Sequence, residues 1–143
     1  MEDPPGFRLE LHNGVVVQVA RPKLKHWILR TSITDVFQAA FGKQGKAGCE
    51  FPFRPQSEYQ FRVADVAWVS RERLKRTFKG DMLGAPEIVV EVLSPSNTAS
   101  EMLDKKHLCF AAGCQEFWIV DPKLRFIEVE RNGGRSSQGL PRK

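Results

Sequence analysis

Two carboxylates stand inside runs that are otherwise largely apolar, and this feature constrains the fold more than any other. Asp65 lies within RVADVAWV, and Glu91 lies within EIVVEVLS. Both runs are rich in valine and short enough to be buried β-strands. An ionised carboxylate is costly to bury alone, because the protein interior replaces its hydration poorly. The sequence therefore predicts two central strands whose acids share a compensating positive charge.

Two sources of that charge are open. A divalent cation such as Mg²⁺ (or Mn²⁺) binds one or two carboxylates and keeps several waters, so a hard-metal site on adjacent strands is one hypothesis. The other is that each acid is paired with an Arg or Lys of a neighbouring element, for which Arg54, Arg62 and the lysines are candidates. A lysine-bearing helix directly after Glu91 favours the metal-site interpretation of the two acids together.

The rest of the chain predicts a mixed sheet with helices against it. Asn13-Gly14 separates FRLELH from VVVQVA, which is a strong hairpin signal because both turn positions require positive φ. One helix is predicted over about 23–41, and a second from about 98 to 112, capped by SPSN and ended by Gly113. Further strands are predicted near 49–54, 60–69, 87–93, 115–120 and 125–130, which gives the order β-β-α-β-β-β-α-β-β and an α/β (α+β) core.

Several local predictions can be compared with a structure. The second of these strands, 60–69, is apolar on both faces and is expected to be central. Segment 71–81 is expected to be a charged connection with one or two helical turns, and the glycines after the first helix indicate a flexible loop. The three tryptophans are interpreted as core. The candidate apolar face of the first helix consists of Leu24, Trp27, Ile28, Ile33, Phe37 and Phe41.

Composition sets the broad class. The 143 residues fit a single domain over 1–131 followed by a Gly/Ser-rich tail, 132–143, which predicts disorder. No apolar run approaches the roughly 20 residues that span a bilayer, and the acidic, proline-containing start does not resemble a secretory signal. We therefore expect a cytoplasmic protein without a membrane segment, whose three cysteines are structural thiols. The net charge of +5 is compatible with a polyanionic partner.

A lysine near the two acids would complete a hydrolytic site. Leu93 stands two residues after Glu91, where an acid-x-lysine motif would place that lysine. The following helix carries Lys105 and Lys106, and a helical wheel alone does not decide between them. Spacing slightly favours Lys105, which follows Glu101 by four residues and can pair with it.

The segments RLELHNGVVV, RVADVAWV, APEIVVEVLSPSN and AAGCQEFWIVDP together resemble the Uma-two-type family, described as putative restriction endonucleases, of the PD-(D/E)XK nuclease-like superfamily. The resemblance covers roughly residues 7–130. It implies a mixed central sheet flanked by helices, a divalent metal and hydrolysis of DNA phosphodiester bonds. Asp65 and Glu91 match the metal-binding acids, with the carbonyl of Val92 as a third ligand, and Lys105 matches the catalytic lysine that this family carries on the helix.

The resemblance also bears on less certain positions. Glu10 and His26 match positions near the family's site, each with a structural role as the alternative. Ala64 stands where the family has a proline. Relatives continue into further strand-forming sequence after the segment RFIEVE, so an open sheet edge that favours a homodimer is one hypothesis. The alternative to a nuclease is a catalytically inactive nuclease-like protein that binds nucleic acid or acts as a scaffold. A serine hydrolase is disfavoured, because the sequence has no G-x-S-x-G elbow.

Overall fold

The structure, a computed structural model, describes residues 2–139. Within that range two α-helices and ten strands follow one another, and a 3-10 turn at Arg73–Lys75 precedes the fifth strand. In chain order the elements are β1 (Phe7–His12), β2 (Val15–Ala20), α1 (Leu24–Phe41), β3 (Gly45–Arg54), β4 (Arg62–Ser70), β5 (Thr77–Phe78), β6 (Asp81–Leu83), β7 (Ile88–Val92), α2 (Ala99–Ala111), β8 (Glu116–Asp121), β9 (Phe126–Arg131) and β10 (Arg135–Gly139).

Eight of the described strands form one mixed sheet in the order β10-β9-β8-β7-β4-β3-β6-β5, while β1 and β2 form a separate hairpin. The β4–β7 pair is antiparallel and the β7–β8 pair is parallel. The mixed sheet flanked by helices is confirmed, and so is the central position of β4. The two strands that carry Asp65 and Glu91 are therefore neighbours in the middle of the sheet.

The core is divided between the two faces of the sheet. On β7, Val89 belongs to a cluster with Met102 and Cys109 of α2. Its neighbour Val90 points to the opposite face, because side chains alternate along a strand, and joins a cluster with Phe37 of α1. The sheet is thus covered by α2 on one face and by α1 on the other.

The β1–β2 hairpin forms as predicted. Asn13 and Gly14 have φ values of 51° and 81°, the left-handed conformations that a tight two-residue hairpin turn needs. Leu11 and Phe61 exchange backbone hydrogen bonds of 2.8 and 2.9 Å, which attach the hairpin next to the start of β4. This attachment brings the charged residues of β1 to the end of β4 that carries the candidate site.

Helix α2 begins and ends with regular caps. Thr98, rather than the preceding SPSN segment, is its N-cap, and the Thr98 hydroxyl accepts a hydrogen bond of 3.1 Å from the backbone N–H of Glu101. At the other end Gly113 adopts φ of 104°, and the N–H of Cys114 donates to the carbonyl of Cys109 at 2.9 Å. These are the contacts of a Schellman motif, so the predicted stop at Gly113 is confirmed.

The structure differs from the sequence predictions in its short and its terminal strands. The expected loop around Gly45 and Gly48 is the first half of β3, because pairing with β4 extends from Gly45 to Phe53. The charged connection contains β5 and β6, whose few ladder bonds outweigh a weak local signal. Residues 135–139 of the predicted disordered tail form β10, since the backbone of β9 offers them a free edge. The rest of that tail, 140–143, lies outside the described residues.

The apolar face of α1 was only partly predicted. Phe37 is buried, whereas Leu24, Trp27 and Ile28 are 70%, 52% and 50% exposed. Trp27 is therefore not a core residue, because the buried face of the helix is the one that carries Arg30 and Phe37. Among the described residues, neither helix combines the length and the apolar character needed to cross a membrane.

Candidate active site

The two predicted acids meet across neighbouring strands. Continuing the β4–β7 register by one residue beyond the pair Val66 and Val90 places Asp65 opposite Glu91. The backbone N–H of Asp65 donates to Oε2 of Glu91 at 2.9 Å, and the N–H of Val92 donates to Oδ2 of Asp65 at 2.7 Å. Each carboxylate thus accepts a hydrogen bond from the other strand. The acids are 5% and 4% exposed, so their charges are held in a buried polar pair.

Lys105 joins this pair from α2. Its Nζ donates to Oε1 of Glu91 at 2.6 Å and to the carbonyl of Val63 at 2.8 Å. An ammonium has three N–H donors, so these two contacts leave a third for another acceptor. Lys106 instead pairs with Glu130 at 3.1 Å. The structure therefore brings Lys105 and not Lys106 to the acids, although Lys105 does so by contacting Glu91 rather than the expected Glu101.

Arg30 of α1 is the residue at this site that sequence reasoning missed. Its Nη2 donates to Oδ1 of Asp65, and its Nη1 lies 3.4 Å from Oε1 of Glu50. The two arginines named from the sequence have other partners, since Arg54 pairs with Asp81 at 2.8 Å and Arg62 donates to Gln60 at 3.2 Å. Each acid is thus paired with a basic side chain from a flanking helix.

Glu50 lies on the other side of Asp65. In the β3–β4 register Cys49 faces Val66 and Phe51 faces Ala64, so Glu50 stands opposite Asp65, although the two do not form a ladder pair. Glu50 has φ of 50°, a left-handed conformation that is uncommon for a residue other than glycine, asparagine or aspartate. Carboxylates of three adjacent strands therefore stand at one level of the sheet.

Glu10 of β1 is buried beside the lysine. It accepts from Arg8 Nε at 3.2 Å and lies 2.9 Å from Nε2 of His12. Burial raises the pKa of Glu10, but the hydrogen bond from His12 and the charges of Lys105 and Arg8 outweigh it and lower the pKa to about 2. Glu10 is therefore ionised at neutral pH and adds negative potential around Lys105.

The electrostatics of the site hold Lys105 protonated. Burial lowers the pKa of Lys105, yet the negative charges of Glu91, Glu10 and Asp65 outweigh burial and raise it above its usual value. Burial and the charge of Asp65 raise the pKa of Glu91 against the opposing charge of Lys105. The pKa of Glu91 thus stays above its usual value even with the ammonium of Lys105 in contact with it.

The chemistry of these donors fits a hard divalent cation. Carboxylate and backbone carbonyl oxygens are the ligands that Mg²⁺ prefers, and two carboxylates suffice because the ion keeps several waters. The carboxylates of Asp65 and Glu91 are buried on neighbouring strands, so a cation between them would offset their mutual repulsion. Among residues 2–139, no group of three or more His, Cys, Asp or Glu side chains is arranged to hold a metal. The fit therefore rests on Asp65, Glu91 and backbone oxygen.

His26 occupies a less defined place. It precedes Arg30 by four residues and so lies on the same face of α1, one turn closer to the start of the helix. Its ring is half-buried and makes no hydrogen bond or ion pair with another described residue. Its role stays a prediction, whereas Glu10 is placed firmly within the polar cluster.

The sequence matches a known protein family along almost all of its length. Over residues 1–141 the sequence matches the model of a family described as "Putative restriction endonuclease". The chain belongs to that family, Uma2. The resemblance carried by its strand motifs is thereby confirmed.

A solved structure supports the fold independently. The chain is similar to the crystal structure of a putative nuclease belonging to DUF820 from Anabaena variabilis ATCC 29413, with a TM-score of 0.80 and 19% sequence identity. The match covers 96% of this chain and 79% of that one. No curated protein has a significantly similar sequence.

Proposed function

We propose that the protein is a Mg²⁺-dependent endonuclease that hydrolyses phosphodiester bonds of DNA. The observation that carries the proposal is the contact of Lys105 with Glu91 beside Asp65, since it joins two metal-type acids to a cation at one end of the central strands. Membership of a family of putative restriction endonucleases supports the same reaction. Mn²⁺ is the expected substitute for Mg²⁺.

The residues would divide the work as follows. Asp65, Glu91 and the carbonyl of Val92 would hold the metal, which supplies a water of lowered pKa and charge for the scissile phosphate. Lys105 is protonated, so it serves as a donor and not as a general base. Its third N–H orients the attacking water and stabilises negative charge that develops on the phosphate. Glu91, Glu10 and Asp65 keep Lys105 protonated through their negative charges, with Glu91 the largest contributor.

The surface of the protein is suited to a polyanion without specifying a sequence. The net charge of +5 supports phosphate contacts, which weaken as salt competes for them. A homodimer remains a prediction, tested by measuring the molar mass in solution by light scattering. The sequence-based reason for expecting a homodimer was an open sheet edge at β9. That reason is weakened, because β10 covers this edge. The cytoplasm remains the proposed compartment, in keeping with free thiols at Cys49, Cys109 and Cys114.

One observation favours the second candidate, a catalytically inactive nuclease-like protein that binds nucleic acid. The guanidinium of Arg30 already forms an ion pair with Asp65. This ion pair would neutralise Asp65 in a protein that binds no metal. The two candidates predict different responses to divalent ions. An active enzyme must bind Mn²⁺ at millimolar concentration or tighter, whereas an inactive one need not.

Plasmid cleavage tests the proposal. Supercoiled DNA is incubated with the wild type and with Glu91→Gln, with Mg²⁺, with Mn²⁺ and with EDTA. We expect nicked or linear DNA only with wild type and metal. Glu87→Gln is the matched control, because Glu87 is a buried glutamate four residues earlier whose partners, Arg73 and the N–H of Ser70, lie outside the site. Equal cleavage by Glu91→Gln and wild type would rule out the assigned site.

A further inference from the structure

Arg30 holds a position that suits a cation shared by two acids. Its side chain is 7% exposed, and its two terminal nitrogens reach Asp65 on β4 and Glu50 on β3. These acids stand opposite each other in the strand register. Because Oδ1 of Asp65 accepts from Arg30 and Oδ2 accepts from the N–H of Val92, any metal that binds Asp65 must share that carboxylate with the guanidinium or displace it.

The contacts of Arg30 are unequal. It contacts Asp65 in a fully buried pair, whereas Glu50 lies 3.4 Å away with 35% of its side chain exposed. The Nε–H of Arg30 is buried and has no acceptor among the described residues. An unsatisfied buried donor is costly, so the present arrangement does not satisfy the guanidinium fully. The contact with Asp65 is therefore held without the full set of hydrogen bonds that a buried guanidinium can make.

We propose that Arg30 is a positioning residue that exchanges with the metal at Asp65. In the metal-free protein it neutralises Asp65; when a divalent cation binds, it leaves Asp65 and pairs with Glu50. The left-handed backbone of Glu50 supports this assignment, because such a conformation in a strand is kept only where the surroundings impose it. The inference rests on the proposed function, since it concerns the metal of the same site.

The exchange makes a prediction about metal affinity that does not involve catalysis. If Arg30 occupies Asp65 most of the time, the apparent affinity for metal is reduced by the fraction of molecules in which Asp65 is free. Removing the guanidinium should then strengthen metal binding. A residue with a merely structural role would have the opposite effect, because its loss would loosen the acids.

Mn²⁺ titration calorimetry on the full chain tests this, with wild type, Arg30→Met and Arg21→Met. We expect Arg30→Met to bind Mn²⁺ roughly tenfold more tightly than wild type. Arg21→Met is the matched control, since Arg21 also approaches Glu50, at 3.9 Å, but is 44% exposed and has no contact with Asp65. Its affinity should stay within about twofold of wild type, because exposed charges are screened. Equal or weaker Mn²⁺ binding by folded Arg30→Met overturns the exchange.

Glu50 is tested in two backgrounds. Glu50→Gln should weaken Mn²⁺ binding in the wild type, because Arg30 loses its second partner. It should have no effect in Arg30→Met, where no guanidinium needs a partner. An equal loss in both backgrounds would mean that Glu50 acts on the metal directly, and it would overturn the receiving role assigned here.

Nuclear magnetic resonance of the wild type tests the exchange even if Arg30→Met does not fold. The Nε–H signal of Arg30, assigned with Arg30→Lys, should shift when Mg²⁺ saturates the site. A signal that stays in place while Mg²⁺ binds overturns the exchange and leaves the proposed nuclease intact. Absence of Mg²⁺ or Mn²⁺ binding in every variant would overturn both.

Discussion

Lys105 Nζ lies 2.6 Å from Glu91 Oε1, although the two residues belong to different elements and to different layers of the fold. Helix α2 covers the face of the sheet to which Val89 and Glu91 point, and this places the lysine over the acid. A lysine on α2 can therefore reach Glu91, as a lysine two residues after Glu91 would do in an acid-x-lysine motif. In the connection between β7 and α2, the backbone N–H of Ser94 donates to Oδ1 of Asn97 at 2.8 Å.

Replacing Lys105 should affect both activity and stability. Lys105→Met leaves Glu91 and Asp65 buried with one cation fewer, which should lower the free energy of unfolding by about 3–5 kcal/mol and cleavage by roughly 100-fold or more. Lys106→Met is the control, because Lys106 pairs with the more exposed Glu130. It should cost clearly less than Lys105→Met, because the exposed part of Glu130 can be hydrated when its partner is lost. Urea denaturation and plasmid cleavage measure the two effects, and equal losses in both variants would contradict the assignment.

Leu93, the residue directly after β7, is a second position from which a lysine could reach Glu91. It follows Glu91 by two residues, so the two side chains leave the strand on the same side. In the Lys105→Met background, Leu93→Lys should raise the cleavage rate at least about tenfold above that of Lys105→Met alone, because its ammonium can approach the same acids. Circular dichroism tests whether the double variant is folded. Cleavage no better than that of Lys105→Met in a folded double variant would show that the helical position is essential.

The lowered pKa of Glu10 predicts that the folded protein loses stability as the pH falls. Its pKa falls from 4.5 to about 2 on folding, so its contribution to stability is complete above pH 4.5 and is lost as the pH falls towards 2. That contribution is roughly 3 kcal/mol. Urea midpoints measured from pH 6 to pH 3 should fall more steeply for wild type than for Glu10→Gln. Parallel curves for the two proteins would contradict the lowered pKa.

The three cysteines should react at different rates. Burial raises the pKa of Cys109 well above its usual range, and burial raises that of Cys114 to about 12, so few molecules carry either thiolate at neutral pH. Cys49 is half-buried. Iodoacetamide followed by mass spectrometry should modify Cys49 first in the native protein and all three in urea. Early modification of Cys109 would indicate local opening of α2.

Much of the site could be predicted because its signals are local. Apolar strands that each contain one carboxylate identify Asp65 and Glu91, and turn residues on either side fix where those strands end. The lysine needed more, since Lys105 and Lys106 are equivalent in local pattern and differ only in what α2 packs against. The family motif resolved that ambiguity, and the structure places Lys105 at Glu91 through packing and not through the expected pair with Glu101.

Arg30 was missed because charged residues are normally assigned to the solvated face of a helix. A signal was available: Arg30, Ile33 and Phe37 are spaced by three and four residues and share one face of α1. The stronger apolar pattern of Leu24, Trp27 and Ile28 obscured it, and those side chains are half or more exposed. The short strands were missed for another reason. The strand β6 pairs with β3, which is distant in sequence, whereas β5 and β10 pair with the strands next to them along the chain and have little strand-forming sequence of their own.

The cluster of Glu10, Arg30, Asp65, Glu91 and Lys105 draws one residue from each of β1, α1, β4, β7 and α2. During synthesis the acids leave the ribosome before the lysine does, so a nascent chain that ends before α2 holds both carboxylates without Lys105. Such a chain lacks the donor that the proposed hydrolysis requires. Completion of the fold is therefore the step at which the chain acquires the full set of side chains that the proposed hydrolysis of DNA requires.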